Sequence, residues 1–175
     1  MSATSTGIPA GTYGFDPVHS TIGFVVVHNG ISKFRGSFEK VDGKLEDGVL
    51  SGSAEVASVK TVIPQLHGHL QAPDFFDAEH HPTITFHSTE IRPGDGGSVE
   101  VVGDLTIRGV TKTVTATGNY GVGVNMMGGD VVGFDLTTTV DRRDFGIDWQ
   151  APLPNGNFAV AWDVTIEVHL ELAKA

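Results

Sequence analysis

The sequence predicts an all-β domain, an eight-stranded antiparallel barrel with one short helix packed on an end or flank. Three observations carry this. Apolar and polar residues alternate with a period of two along most of the chain. Dipeptides that favour tight hairpins separate the alternating runs. One segment alone changes from strand to helical spacing.

In chain order, the first strand candidate is Thr21–His28, and Phe34, Gly36 and Phe38 then alternate with Arg35, Ser37 and Glu39. Leu50–Ser58 and Thr83–Ile91 follow. Val99, Val101, Leu105 and Ile107 alternate with Glu100, Asp104 and Thr106, and Val110–Val122 comes next. Val132, Phe134, Leu136 and Val140 alternate with Asp135, Thr137 and Thr139. The last run sets Val164, Ile166, Val168, Leu170 and Leu172 against Asp163, Thr165, Glu167, His169 and Glu171. Each pattern describes a strand with one buried and one wet face. About eight strands is the number at which a closed antiparallel barrel can hold a small ligand. Asp42-Gly43, Asp47-Gly48, Asp95-Gly96 and Asn155-Gly156 are the expected turns.

Between Ser58 and Pro82 the alternation stops. Val59, Val62, Ile63, Leu66 and Leu70 fall at helical spacing, which predicts a helix over Pro64–Gln71. The Ala72-Pro73 step ends it, because a residue before proline avoids helical backbone angles. Gly36, Gly52, Ala54, Gly103, Ala116 and Gly118 stand on apolar faces. Such small inward residues leave volume that bent strands and Phe rings fill, or that stays open as a cavity.

The 175 residues suit one domain, 1–175, with residues 1–11 expected as a flexible N-terminal tail. A net charge of −10 with dispersed Lys and Arg argues against nucleic-acid partners and against adhesion to anionic membranes. The absence of Cys excludes disulfides, thiolate catalysis and Cys-based metal sites. No run is apolar enough to span a bilayer, so stable membrane insertion is not expected. The N-terminal residues lack a basic stretch followed by an apolar one, and the expectation is a soluble cytoplasmic protein.

Four stretches in order resemble the YceI-like family of lipocalin-like, polyisoprenoid-binding bacterial proteins. They are Tyr13–Gly43, "HLQAPDFFDAEHHPTITFHSTEI" at His69–Ile91, "GDLTIRGVTKTVT" at Gly103–Thr115, and "VDRRDFGIDW" at Val140–Trp149. The resemblance implies an eight-stranded lipocalin-like barrel with an elongated apolar channel and a helix covering part of it. It implies a long-chain isoprenoid, quinone or fatty-acyl lipid as ligand, no other cofactor, and no catalytic residues. It also admits a homodimer.

On that reading the channel is lined by Phe24, Val26, Phe38, Leu66, Leu70, Phe86, Leu105, Ile107, Phe134 and Leu136. At least one of Phe75 and Phe76 enters it. Arg142 either pairs with Asp144 to pin the following loop or holds a head group at the mouth. Met126-Met127 is a loop tip that suits a lipid portal, a dimer contact or a plain exposed turn.

Two other readings stay open. His67, His69, His80, His81 and His87 are crowded, although their spacing matches no zinc template, and they could serve a metal site or a histidine-based enzyme. The barrel could also be a ligand-free structural or stress protein with a filled core. His19 and Ser20 are neighbours in an extended segment and face opposite ways, so they do not form a nucleophile–base pair; Asp16, Pro17 and His19 read as a corner.

Overall fold

The computed structural model describes residues 7–175. Eleven strands form one antiparallel sheet: β1 (Thr12–Phe15), β2 (Thr21–His28), β3 (Ser32–Phe38), β4 (Val41–Glu46), β5 (Val49–Glu55), β6 (Val59–Thr61), β7 (Thr83–Pro93), β8 (Ser98–Ile107), β9 (Val110–Val124), β10 (Asp130–Asp141) and β11 (Val160–Lys174). Among the described residues a single α-helix, α1 (Leu66–Gln71), lies between β6 and β7.

The sheet closes on itself. β1, β4, β5, β7, β8, β9, β10 and β11 are neighbours in that order, and β1 pairs back to β11, which completes an eight-stranded barrel. β2, β3 and β6 extend the same wall: β11 pairs with β1 at Leu172–Lys174 and with β2 at Val160–His169. The chain therefore makes eight up-and-down passes, and the first three are each broken once.

These breaks are where the sequence reading is corrected. The predicted strand Leu50–Ser58 stops at Glu55, and Val56–Ser58 is a 3-10 turn before the short β6. β1, β4 and β6 are too short for alternation to reveal. Gly43 lies inside β4 rather than in a turn, paired with Gly52 of β5, and the Ser51 carbonyl and the Phe15 ring occupy the space its Cβ would need. Asp47 and Gly48, with φ of 47° and 84°, do form the expected tight turn. Arg108 and Gly109 form another, with φ of 52° and 71°.

The helix begins two residues later than expected. Leu66 and His67 donate to the carbonyls of Ile63 and Pro64, which is a tighter i to i−3 turn ahead of the helix. It ends as expected, with Ala72 extended (ψ 163°) before Pro73. Two bonds hold α1 to the wall: His67 Nε2 lies 2.8 Å from the Ala57 carbonyl, and Gln71 Nε2 donates to Val56 at 2.9 Å. The expected N-terminal tail is only partly covered, since residues 1–6 lie outside the described residues. Residues 7–11 are held: Ile8 packs on the core and the Gly11 amide donates to Asp47 Oδ1 at 3.0 Å.

The two ends of the barrel differ. At the β4–β5 end, Tyr13, Leu45, Val99, Val132 and Leu172 are buried and plug the interior. At the other end β6 pairs only with β3, so no ladder joins it to β7. The segment from Val62 to Pro82, with α1, fills that gap.

Candidate functional site: an apolar cavity along the barrel axis

A cavity of about 550 Å³ runs from the plugged end to the helix end. That is within the range of roughly 300–1,000 Å³ usual for small-molecule sites. Its deep part is bordered by Phe15, Leu50, Val101, Leu136 and Leu170. Its outer part is bordered by His28, Ser32, Ile63, Trp149 and Val160. Ile22, Phe24, Val26, Phe86 and Ile166 point inward yet are only half-buried. Their free surface borders the cavity instead of other side chains.

Small residues explain how rings and cavity coexist. Phe24 lies over Gly36, Phe86 over Gly103, and Phe15 over Gly43 and Gly52. A ring seated on a glycine lies against the wall and leaves the axis open. At Gly118 the reason is different: the Asp135 carbonyl comes so near that any Cβ would collide with backbone.

The predicted lining residues sort clearly. Phe24, Val26, Phe38, Leu66 and Leu70 border the cavity on the β2–β3 and helix side. Phe86, Leu105, Ile107 and Leu136 border it on the opposite side. Phe75 and Phe76 both reach it, from the loop after α1. Phe76 meets Phe38 edge-on with centroids 5.9 Å apart. Phe75 stands with His69 and Trp149, at 4.7 and 5.6 Å. Phe134 is the exception. It is 2% exposed, packs beside Tyr120 in the plug, and does not border the cavity. Alternation placed it on the inner face, but only the axial position separates plug from lumen. Missed by sequence reasoning were His69 and Trp149, which complete the aromatic corner with Phe75. The signal for Trp149 was its place at the end of "VDRRDFGIDW".

Arg142 borders the cavity, but Asp144 is exposed and is not its partner. Its Nε donates to Ala161 O at 2.9 Å, and Nη1 donates to Ile147 O and Trp149 O, each at 2.9 Å. Nη2 donates to Val160 O at 3.3 Å, and the guanidinium lies 4.4 Å from the Trp162 ring centre. Burial pushes its pKa down. Arg142 thus ties the outgoing and returning arms of the loop between β10 and β11 by four carbonyls. This replaces the expected Arg142–Asp144 pair. The ion pair of this turn is Arg143 with Asp141, at 2.6 Å.

The crowded histidines do not converge. His67 bonds to Ala57, His69 stands edge-on to Phe75 and Trp149, and His80 Nδ1 bonds to Asp77 at 2.9 Å. The His81 ring lies beside Gly109, and His87 is exposed on β7. Among the described residues, the side chains that approach one another as a metal set are Asp16, His19 and Glu171. They lie elsewhere, at the corner between β1 and β2. There Asp16 accepts from the amides of Val18 and His19 and from the His19 ring, so its carboxylate is already engaged in closing the corner. Met126 and Met127 are exposed at the plugged end, away from the cavity, which removes the portal reading for that tip.

Comparison with known proteins agrees with this architecture. The YceI-like domain family matches residues 13–172, nearly the whole barrel. The chain belongs to the YceI-like family. Among curated relatives, a UPF0312 protein of Vibrio cholerae is 36% identical over 137 residues, covering 74% of this chain and 72% of its own. A UPF0312 protein of Staphylococcus epidermidis is 32% identical over 171 residues, covering 92% and 96%. Solved structures share the fold. Burkholderia cenocepacia BcnA gives a TM-score of 0.72 at 24% identity, covering 90% of this chain and 98% of its own. The Campylobacter jejuni YceI protein gives 0.71 at 26%, covering 85% and 90%. A polyisoprenoid binding domain from Saccharophagus degradans, implicated in plant cell wall breakdown, gives 0.70 at 14%, covering 93% and 98%.

Proposed function

We propose that this YceI-like barrel binds a long-chain apolar lipid, of isoprenoid or polyprenyl type, along its axis, for carriage, storage or sensing. The observation that carries this is the cavity: about 550 Å³, continuous from mouth to plug, with a surface that is overwhelmingly apolar and built mainly by Phe, Leu, Ile and Val. Burial of an alkyl or isoprenoid chain there is worth about 0.8 kcal/mol per CH₂ before ordering costs. The polyisoprenoid binding described for the Saccharophagus degradans domain supports the isoprenoid class. Quinone and fatty-acyl chains satisfy the same walls, because apolar contact selects length and shape more than chemistry.

The charged and imidazole side chains among the lining residues stand at the mouth. Arg142 spends its donors on backbone carbonyls, so the groups left to orient a head group are His28, Ser32, Lys33 and His69. This arrangement suits binding rather than turnover.

The test is mass spectrometry on an organic extract of the protein purified without detergent, with titration by polyprenyl, quinone and fatty-acyl analogues. A stoichiometric long-chain lipid, or saturable binding of one analogue class, is expected. A clean extract together with no uptake of any analogue sinks the reading.

A further inference from the structure

Three chain segments meet at the mouth. They are the ends of three runs of sequence: Thr21–Ser32, which closes on the β2–β3 turn; Thr61–Pro73, which contains α1; and Trp149–Trp162, the later part of the loop between β10 and β11 with the first residues of β11. The Asn29 amide donates to Ala159 O at 2.8 Å, and His28 pairs with Val160, so the first and third are joined. The β3–β6 ladder brings the second alongside. None of the three contains Asp, Glu, Lys or Arg, in a chain of which 18% is charged and whose net charge is −10. Charges resume at their edges, with Lys33, which also borders the cavity, and with Lys60, Asp74, Asp148 and Asp163.

Large apolar side chains stand out from this uncharged collar. Ile31 at the tip of the β2–β3 turn is 89% exposed, and Val62 is 84% exposed. Ile63 and Phe158 are about half exposed, and Ile63 also borders the cavity. Exposed apolar residues around an opening mark an interaction surface. Aliphatic tips on uncharged runs flanked by lysines suit insertion at the apolar boundary of a lipid layer.

We propose that the collar is a docking surface for an uncharged or zwitterionic lipid bilayer, on which the barrel stands mouth-down to exchange its ligand. This rests on the lipid-binding reading above. A long apolar chain leaving the cavity through water would expose every methylene it buried, at about 0.8 kcal/mol for each. A mouth seated in the interface lets the chain pass between two apolar surroundings. The net negative charge of the protein sets the bilayer class, since an anionic surface would repel it.

Flotation of the full chain with phosphatidylcholine vesicles reads docking directly, without any ligand. Wild-type protein floats with the vesicles, and the I31D/V62D variant does not. Loading is read with a fluorescent geranylgeranyl alcohol. Added from ethanol, the probe binds wild type and I31D/V62D equally. Supplied from vesicles, it transfers at a rate that rises with vesicle concentration in wild type and is ten-fold or more slower in I31D/V62D. M126D/M127D, altered at the plugged end, matches wild type in both assays. Docking is overturned if neither wild type nor variant floats, if transfer is independent of vesicle concentration, or if M126D/M127D has the larger effect. Absence of probe uptake from ethanol overturns the lipid-binding reading instead, while flotation still decides docking.

Discussion

The ring of Phe24 in β2 lies over Gly36, its registered partner in β3, so closely that a Cβ at Gly36 would come within 2.4 Å of the ring. The glycine is the seat of the ring, and the seated ring leaves the axis open. Gly36→Val must displace Phe24 toward the lumen. The expected outcome is a folded barrel by circular dichroism that binds a polyprenyl analogue at least ten-fold more weakly. Unchanged affinity would show that the ring position does not govern the lumen.

Phe134 and Phe76 test the division between plug and cavity. Phe134→Ala removes a buried ring from the plug and costs about 3–5 kcal/mol of stability. Where the variant remains folded, analogue affinity stays at the wild-type value. Phe76→Ala, by contrast, widens the cavity beside Phe38 and lowers affinity with a smaller loss of stability. Denaturant melts and titrations on both variants check the pair.

Arg142 holds the loop between β10 and β11 from inside. Arg142→Met leaves the carbonyls of Ile147, Trp149, Val160 and Ala161 without this donor, and destabilises the protein by roughly 2–4 kcal/mol. The freed loop exposes Trp149, so its fluorescence moves to longer wavelength. A Trp162→Phe background isolates that signal. A melt identical to wild type would contradict the staple.

Asp77 sits at positive φ (51°) in the turn after α1, with His80 bonded to its carboxylate. That hydrogen bond raises the His80 pKa above its usual 6.5 and lowers that of Asp77 below its usual 3.8, with Glu79, His81 and Arg108 as lesser neighbours. The imidazolium share of the stabilisation is complete below the unfolded imidazole pKa and is lost as pH rises through the raised folded value. The carboxylate share is complete above the unfolded carboxylate pKa and is lost as pH falls through the depressed one. The turn is therefore firmest in mildly acidic solution. NMR titration should place the His80 midpoint above 6.5 and return it toward the ordinary value in Asp77→Asn.

Much of the barrel was legible because alternation is a local property. β2 and the long strands β7 to β11 each carry an inner and an outer face in their own residues. The helix end was legible for the same reason, since Pro73 acts on its immediate neighbour. β1, β4 and β6 were not, because three to six residues hold too few alternations. Their strand state comes from partners such as Lys174 opposite Tyr13 and Phe38 opposite Val59.

The sequence by itself determined which residues face inward, that rings and glycines share those faces, and that the chain resembles the YceI-like family. Only the tertiary structure decided which inward residues border a cavity and which fill a plug. Phe86 and Phe134 are both inner-face aromatics of long strands, and closure of the sheet puts one beside the lumen and the other beneath it. It also decided that the histidines disperse and that Arg142 serves the backbone. The reason is physical: strand periodicity records the side of a wall, whereas depth along the axis, and the carbonyls within reach of a guanidinium, arise from residues distant in sequence that meet when the barrel closes.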